Sequence, residues 1–344
     1  EMAQLSLQFG ENLLKETNDY FLEITNEDEL KGLPEDVVEA AAEEAKAKGK
    51  EGSWVFTLQY PSYVPFMTYS ANRPRRQELS RVFGSRCFNG KETDNRKHVK
   101  RIAELRHQRA QLLGYPSHAH FVLEERMAEA PGKVISFLDE MLQYARPVAM
   151  REMEEVKEYA KRLDGLQEMQ RWDFAYYSEK LKKEKYEVDD EILKPYFKLE
   201  QVIGGVFDIA NRLYGLRFVE TREIPVYHTD VKAYEVQDEE TGRHIGVFYA
   251  DFFPRPGKRN GAWMTSYRGQ KIVNGKEVRP HVSIVCNFTK PTGTKPSLLT
   301  FNEVTTLFHE FGHALHGLLA KGTYESLTGT NVFWDFVELP SQIM

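Results

Sequence analysis

The sequence predicts a mainly α-helical protein with one small β-sheet, and three observations carry that expectation. Apolar residues recur at three- and four-residue steps through most of the first 215 positions. Segments rich in β-branched and aromatic residues then cluster between 216 and 287. Last comes a strongly striped segment, Asn302 to Leu319, with Val304, Leu307, Phe308, Phe311, Ala314, Leu315 and Leu318 on one helical face. The chain of 344 residues is long enough for two domains. The change in character suggests a helical lobe over 1–215 and a second region over 216–344.

The helices expected in the first part are Met2–Thr17, Pro34–Lys48, Arg73–Phe83, Asn95–Leu113, Val134–Leu163, Arg171–Lys183 and Leu199–Leu213. Gly114-Tyr115-Pro116 and Ala130-Pro131-Gly132 punctuate them as turns. Pro147 should kink the longest one, because proline removes a hydrogen bond and crowds the preceding turn. Trp54-Val55-Phe56-Thr57 reads as a short extended piece. The charge-rich stretch from Ala145 to Arg162 could support a coiled coil, but a solvated helix face accounts for it more simply. The same holds for the lysines between 180 and 185.

Strands are expected at Leu216–Glu220, Val231–Val236 and Ile245–Ala250, the last two joined through Glu240-Thr241-Gly242-Arg243. Asn274-Gly275 marks a tight hairpin turn between Gln270–Val273 and the strand-like His281–Asn287. Ala262–Ser266 could be an edge strand able to accept an extended peptide. The preceding Gly257-Lys258-Arg259-Asn260-Gly261 lacks the spacing of a phosphate-cradling loop, so nucleotide binding is rejected.

Composition bounds the function classes. A hydrophobic content of 41% with 28% charged residues is that of an ordinary globular protein. A net charge of −6 gives no electrostatic case for nucleic acid. No apolar run is long enough to span a membrane. Cys87 and Cys286, far apart, suggest no disulfide framework and favour a reducing compartment such as the cytoplasm. Glu1-Met2-Ala3-Gln4 is neither a native start nor a signal peptide, and Met344 falls inside an amphipathic segment. Both ends therefore read as cut from a longer protein.

The chemistry is concentrated in His309-Glu310-Phe311-Gly312-His313. Residues four apart on a helix share a face, so His309 and His313 can offer two imidazoles to one ion. Glu310 beside them suits a general base acting on a zinc-activated water, whose pKa falls to about 7. A catalytic zinc needs a third protein ligand. Glu338, in what reads as a second helical stretch after Asp335, is favoured, with the loop residue Glu325 as its rival. Cobalt or manganese could occupy the same ligand set. Gly312 lies where glycine costs about 1 kcal/mol in a helix interior, which suggests a close approach that excludes a side chain. Asp335 could orient a ligand histidine or simply stand at a helix N-terminus. His316 reads as a packing residue or one lying behind the ligands, and His118 and His120 as solvent-facing or core histidines.

His309 through His316, Ser326 through Asn331 and Asp335 through Gln342 together resemble the thimet oligopeptidase and peptidyl-dipeptidase family of zinc metallopeptidases. The likeness extends upstream to Tyr249–Arg255, Gly261-Ala262-Trp263, Gly114-Tyr115-Pro116 and Val122–Ala128, covering the chain from about residue 70. Bacterial peptidyl-dipeptidases look most similar. The resemblance implies a helical two-lobed clamshell with one zinc ion per chain, held by His309, His313 and Glu338, with Glu310 as base. It implies short unstructured peptides as substrates, and peptide binding along the strand near Gly261 and Ala262. The family's chain continues past the third ligand with tyrosine and histidine residues that bind substrate and stabilise the oxyanion. Losing an oxyanion donor alone can cost about 10²–10³ in rate. Release of C-terminal dipeptides is the expected activity. Internal cleavage of short peptides is the alternative, as is a catalytically impaired fragment that only binds zinc or peptide.

Overall fold

The computed structural model describes residues 1–344 and is mainly helical, with small sheets. It separates into two compact units, Glu1–Asp189 with Pro256–Lys258, and Asp190–Arg255 with Arg259–Met344. The composition change near 215 coincides with the start of the larger sheet, while the unit containing that sheet begins earlier, at Asp190. No helix is long and apolar enough to cross a membrane.

The first unit runs α1 (Met2–Asp19), β1 (Phe21–Ile24), α2 (Glu35–Ala47), β2 (Trp54–Thr57), α3 (Tyr60–Tyr69), α4 (Arg73–Gly84), α5 (Arg96–Leu112), α6 (His118–Leu123), α7 (Pro131–Asp164) and α8 (Phe174–Tyr186). β1 and β2 pair antiparallel, and Leu22, Ile24, Phe56, Phe66 and Leu79 fill the core beside them. β1 and α3 were not expected from the sequence. β1 is short, and α3 contains Pro65 in its interior as well as Pro61 at its start. α7 is continuous across Pro147. Only its later part is buried, through Val156, Tyr159 and Ala160 against Tyr176 and Tyr177, which leaves the charges of 145–162 on a solvated face.

A buried charge pair ties this unit together. Arg76, 1% exposed, donates to the carbonyls of Ser70 and Trp172 and to Asp173, while Arg73 grips the same carboxylate with two bonds at 2.8 and 2.9 Å. The Arg76 guanidinium also lies 4.1 Å from the centre of the Tyr176 ring.

The second unit contains α9 (Asp190–Leu193), α10 (Leu199–Tyr214), β3 (Leu216–Thr221), β4 (Lys232–Asp238), β5 (His244–Asp251), β6 (Trp263–Arg268), β7 (Lys271–Val273), β8 (Lys276–Val278), β9 (His281–Val285), α11 (Phe301–Leu318) and α12 (Glu338–Ile343). Five strands form a sheet in the order β3-β4-β5-β9-β6, with β5 and β9 parallel and the other pairs antiparallel. Ala262–Ser266 was expected to give an edge strand, and β6 is one. Asn274-Gly275 does make a tight turn, both residues having positive φ, but its partner strand is β8 rather than 281–287. β9 instead inserts between β5 and β6, where its apolar face is buried.

Helices α10 and α11 pack on this sheet. Val202, Val206, Phe248, Ile284, Leu307, Phe311 and Leu315 belong to one apolar core, the largest stabilising contribution to the unit. Phe207 stacks on Phe218 at 4.3 Å, and Phe248 meets Phe311 edge-on at 5.6 Å. The apolar stripe of α11 is thus spent on the sheet, which turns His309 towards the opposite, more open side.

Candidate metal centre and active site

α11 begins with a reciprocal cap. The Thr300 hydroxyl accepts from the Glu303 N–H, and the Glu303 carboxylate accepts from the Thr300 N–H at 2.8 Å. Thr300-x-x-Glu303 before an apolar run is a sequence signal for a helix start at Phe301, one residue ahead of the expected Asn302. At the far end, Arg279 donates to the carbonyls of Leu318 and Ala320 at 2.8 and 3.0 Å. These are among the carbonyls that a helix end leaves without partners. Beside them Gly317 allows close approach, since a Cβ there would meet Met264 of β6 at 2.8 Å and Val282 of β9 at 3.0 Å.

The middle of α11 presents His309 and His313 on one face, their ring centres 5.0 Å apart and their planes at 90°. Glu338, the first residue of α12, reaches both: its Oε2 lies 3.1 Å from the Nε2 atom of each histidine. The three donor atoms fall within 4.8 Å of one another, an arrangement able to hold a metal ion. Two imidazole nitrogens and one carboxylate oxygen are also the donor types of a catalytic zinc site, so the residues present fit that group. Asp335-Phe336-Val337 form turns rather than helix, so Glu338 opens α12 instead of lying within it.

Glu325, the rival third ligand, is occupied elsewhere. It accepts from the Gly269 N–H at 2.8 Å and from the Lys271 ammonium at 2.6 Å. Its segment, expected as a loop, contains one short 3₁₀ turn over Glu325–Leu327.

Gly312 accounts for the close approach suspected from the sequence. A Cβ there would stand 2.6 Å from the Ser341 Cα and 2.9 Å from the Pro340 carbonyl. The absence of a side chain lets α12 lie directly on α11. Ser341 lies inside the family-like stretch Asp335–Gln342, but sequence reasoning gave it no role of its own and missed this contact.

The electrostatics of the cluster follow from burial. Glu310 is buried, and that burial, assisted by the negative charge of Glu338, raises its carboxyl to about 7. A cation among the three donors would act in the opposite sense. Burial lowers His313, an effect that the Glu338 charge opposes, so its neutral, electron-donating form is favoured. Burial likewise lowers His316, whose Nδ1 has no partner, and the neighbouring His313 adds to the effect.

The segment expected to bind peptide, Gly261 and Ala262, lies immediately before β6. Gly261 has φ +100°, and its carbonyl accepts from the Asn287 amide at 2.7 Å. Ala262 packs against the same apolar core as α11. Among the other histidines, His118 lies with its ring centre 6.4 Å from that of Phe121 in the first unit, and neither it nor His120 joins the His309–His313–Glu338 cluster.

The sequence profile of Peptidase family M3 matches residues 66–344. The whole chain aligns with oligopeptidase A of Haemophilus influenzae at 41% identity, covering 51% of that protein. It aligns over its full length with dipeptidyl carboxypeptidase of Escherichia coli at 38% identity, covering 50% of it. The probable cytosolic oligopeptidase A of Arabidopsis thaliana is 38% identical over the whole chain, with 51% of its own length covered. The chain belongs to peptidase family M3. It spans about half the length of the curated relatives it matches. Relatives named for both activities match at similar identity, so identity does not separate the two.

Proposed function

We propose that the chain carries the metal centre of a zinc metallopeptidase acting on short, unstructured peptides. The observation that carries this reading is the convergence of His309, His313 and Glu338 beside the buried Glu310. A zinc ion held by those three residues would supply Lewis acidity, polarising a carbonyl and making water acidic near neutral pH. The carboxylate of Glu310 takes a proton from the attacking water as its oxygen bonds to the peptide carbonyl carbon. When the C–N bond breaks, Glu310 passes that proton to the leaving nitrogen. The apolar face of α11 is anchored on the sheet, which fixes the backbone from which His309 and His313 project.

The free edge of β6 suits an extended peptide, which would add by backbone hydrogen bonds. The Gly261 carbonyl is already engaged by Asn287, so the strand offers a peptide its backbone from Ala262 onward. Release of C-terminal dipeptides is the favoured activity, in keeping with the dipeptidyl carboxypeptidase relative. Internal cleavage, in keeping with the oligopeptidase A relatives, is the second reading. End-group analysis of products from a peptide blocked at its N-terminus separates them. The two buried free cysteines and the relative named as probably cytosolic support a cytoplasmic setting.

The test is metal content by mass spectrometry on the purified chain beside Glu338→Ala, with turnover of a quenched fluorescent peptide in parallel. One zinc per chain, lost in the variant, supports the three-ligand centre. A metal-free wild type, or zinc retained at full stoichiometry without Glu338, sinks it.

A further inference from the structure

We infer that Ser341 is a positioning residue for the third metal ligand, a role that rests on the metal-centre reading above. Ser341 is 2% exposed and lies one turn after Glu338 in α12. Its hydroxyl is 3.1 Å from Glu338 Oε2, the same oxygen that approaches both histidines, and 2.8 Å from the Glu338 backbone carbonyl. One proton serves both acceptors, so the hydroxyl holds the Glu338 side chain against its own backbone and limits its rotation.

The need for such a hold is evident from exposure. The Glu338 side chain is 53% exposed, and a glutamate at the first residue of a short helix is otherwise free to turn into solvent. Ordering a long side chain costs conformational entropy, which metal binding would have to overcome. Ser341 itself cannot drift. Its Cα rests where a side chain at Gly312 would stand, on the turn between the two histidines. Gly312 therefore sets how near α12 comes to α11, and Ser341 converts that contact into an orientation of the carboxylate. Outer groups that orient metal ligands commonly contribute ten- to about a hundredfold to metal affinity or activity.

The experiment measures zinc dissociation constants by chelator competition for wild type, Ser341→Ala and Ser341→Thr, together with the melting temperature of each metal-free chain. Ser341→Ala should bind zinc about tenfold or more weakly while its metal-free melting temperature stays close to that of wild type. Ser341→Thr, which keeps the hydroxyl, should recover most of the affinity. The absorption spectrum of the cobalt-loaded chain should change in Ser341→Ala and return in Ser341→Thr. Equal zinc affinity in wild type and Ser341→Ala overturns the inference and leaves the metal centre standing. Weakening that Ser341→Thr does not repair overturns it too, since packing alone would then be responsible. A wild type that binds no zinc removes the metal-centre reading and the role of Ser341 with it.

Discussion

The guanidinium of Arg279 donates to the Leu318 carbonyl at 2.8 Å, so the helix bearing both histidines ends on a buried cation. The same side chain reaches the Ile245 carbonyl and Gln270 Oε1, each at 2.7 Å, linking the helix end to β5. Positive charge at a helix C-terminus is favourable, and here it also satisfies carbonyls hidden from water. Arg279→Ala should therefore lower stability by about 3 kcal/mol in urea unfolding, because several buried acceptors lose their donor. Arg279→Lys should recover only part, since an ammonium cannot reproduce the planar fork. Loss below about 0.5 kcal/mol, the size of an ordinary surface change, would contradict this account.

Replacing Glu310 by Gln should separate metal binding from turnover. The variant should keep zinc at wild-type stoichiometry and lose peptide hydrolysis by at least about a hundredfold, the lower end of what a general base contributes. Parallel metal analysis and peptide turnover check this. Activity near that of wild type would remove Glu310 from the proposed chemistry.

Gly312→Ala should disturb the metal site from its unreactive side. The new methyl would press on the Ser341 backbone, not on a flexible side-chain end. Relieving that contact means moving α12 and Glu338 with it. Alanine gains about 1 kcal/mol of helix propensity, and overpacking costs about 1–3 kcal/mol, so stability should change little or fall modestly. Zinc affinity should drop clearly more than stability does. A variant that binds zinc as wild type does would show that the close approach is dispensable.

Glu325→Gln makes the complementary prediction. Glu325 holds Gly269 and Lys271, so its loss should loosen the β7 region and leave zinc stoichiometry and affinity unchanged within about twofold. Chelator competition decides it, and a strong loss of zinc would reinstate Glu325 as a ligand.

Acid should weaken the first unit through Asp173. Burial alone would raise this carboxyl, but hydrogen bonds from Arg73, the Gln170 N–H and Arg76, with the charge of Arg73, hold it below the usual range. A carboxyl lowered on folding contributes stability that is complete above its unfolded value of about 3.9. That contribution fades as pH falls through the lower, folded value. Asp173→Asn should cost about 3 kcal/mol at neutral pH by leaving Arg76 buried with a weaker partner. It should also flatten the loss of stability below about pH 4. Urea titrations of both proteins across that range provide the check, and parallel acid profiles would count against the assignment.

Much of the architecture is legible where a local pattern determines structure. The stripe of α11 and the residues His309, Glu310 and His313 can be read directly, because helical spacing alone puts the histidines on one face. Gly312 announces a close approach by being a poor helix former, although the sequence does not say what approaches. Glu338 is favoured over Glu325 from the sequence and implied by the family resemblance, while the engagement of Glu325 by Lys271 is visible only in the fold. The misassigned partner of Asn274-Gly275 has a similar origin. The turn is local chemistry, whereas the insertion of β9 between β5 and β6 is a long-range choice. Ser341 sits in a family-like stretch, yet its role is not legible there, since a buried serine owes its role to what happens to lie opposite.

The strand order also constrains the sequence of folding events. β6 leaves the chain before β9, yet β9 is its only neighbour in the five-stranded sheet. A nascent chain ending within β6 thus has no edge of that sheet on which the strand can settle in its final register. Pairings between distant segments are slow because loop closure must precede their reward. β6 and β9 should gain amide protection together in pulsed hydrogen exchange, rather than in the order of synthesis. Since α11 and Glu338 follow both strands, the three candidate ligand side chains emerge after the scaffold that orients them has become able to close.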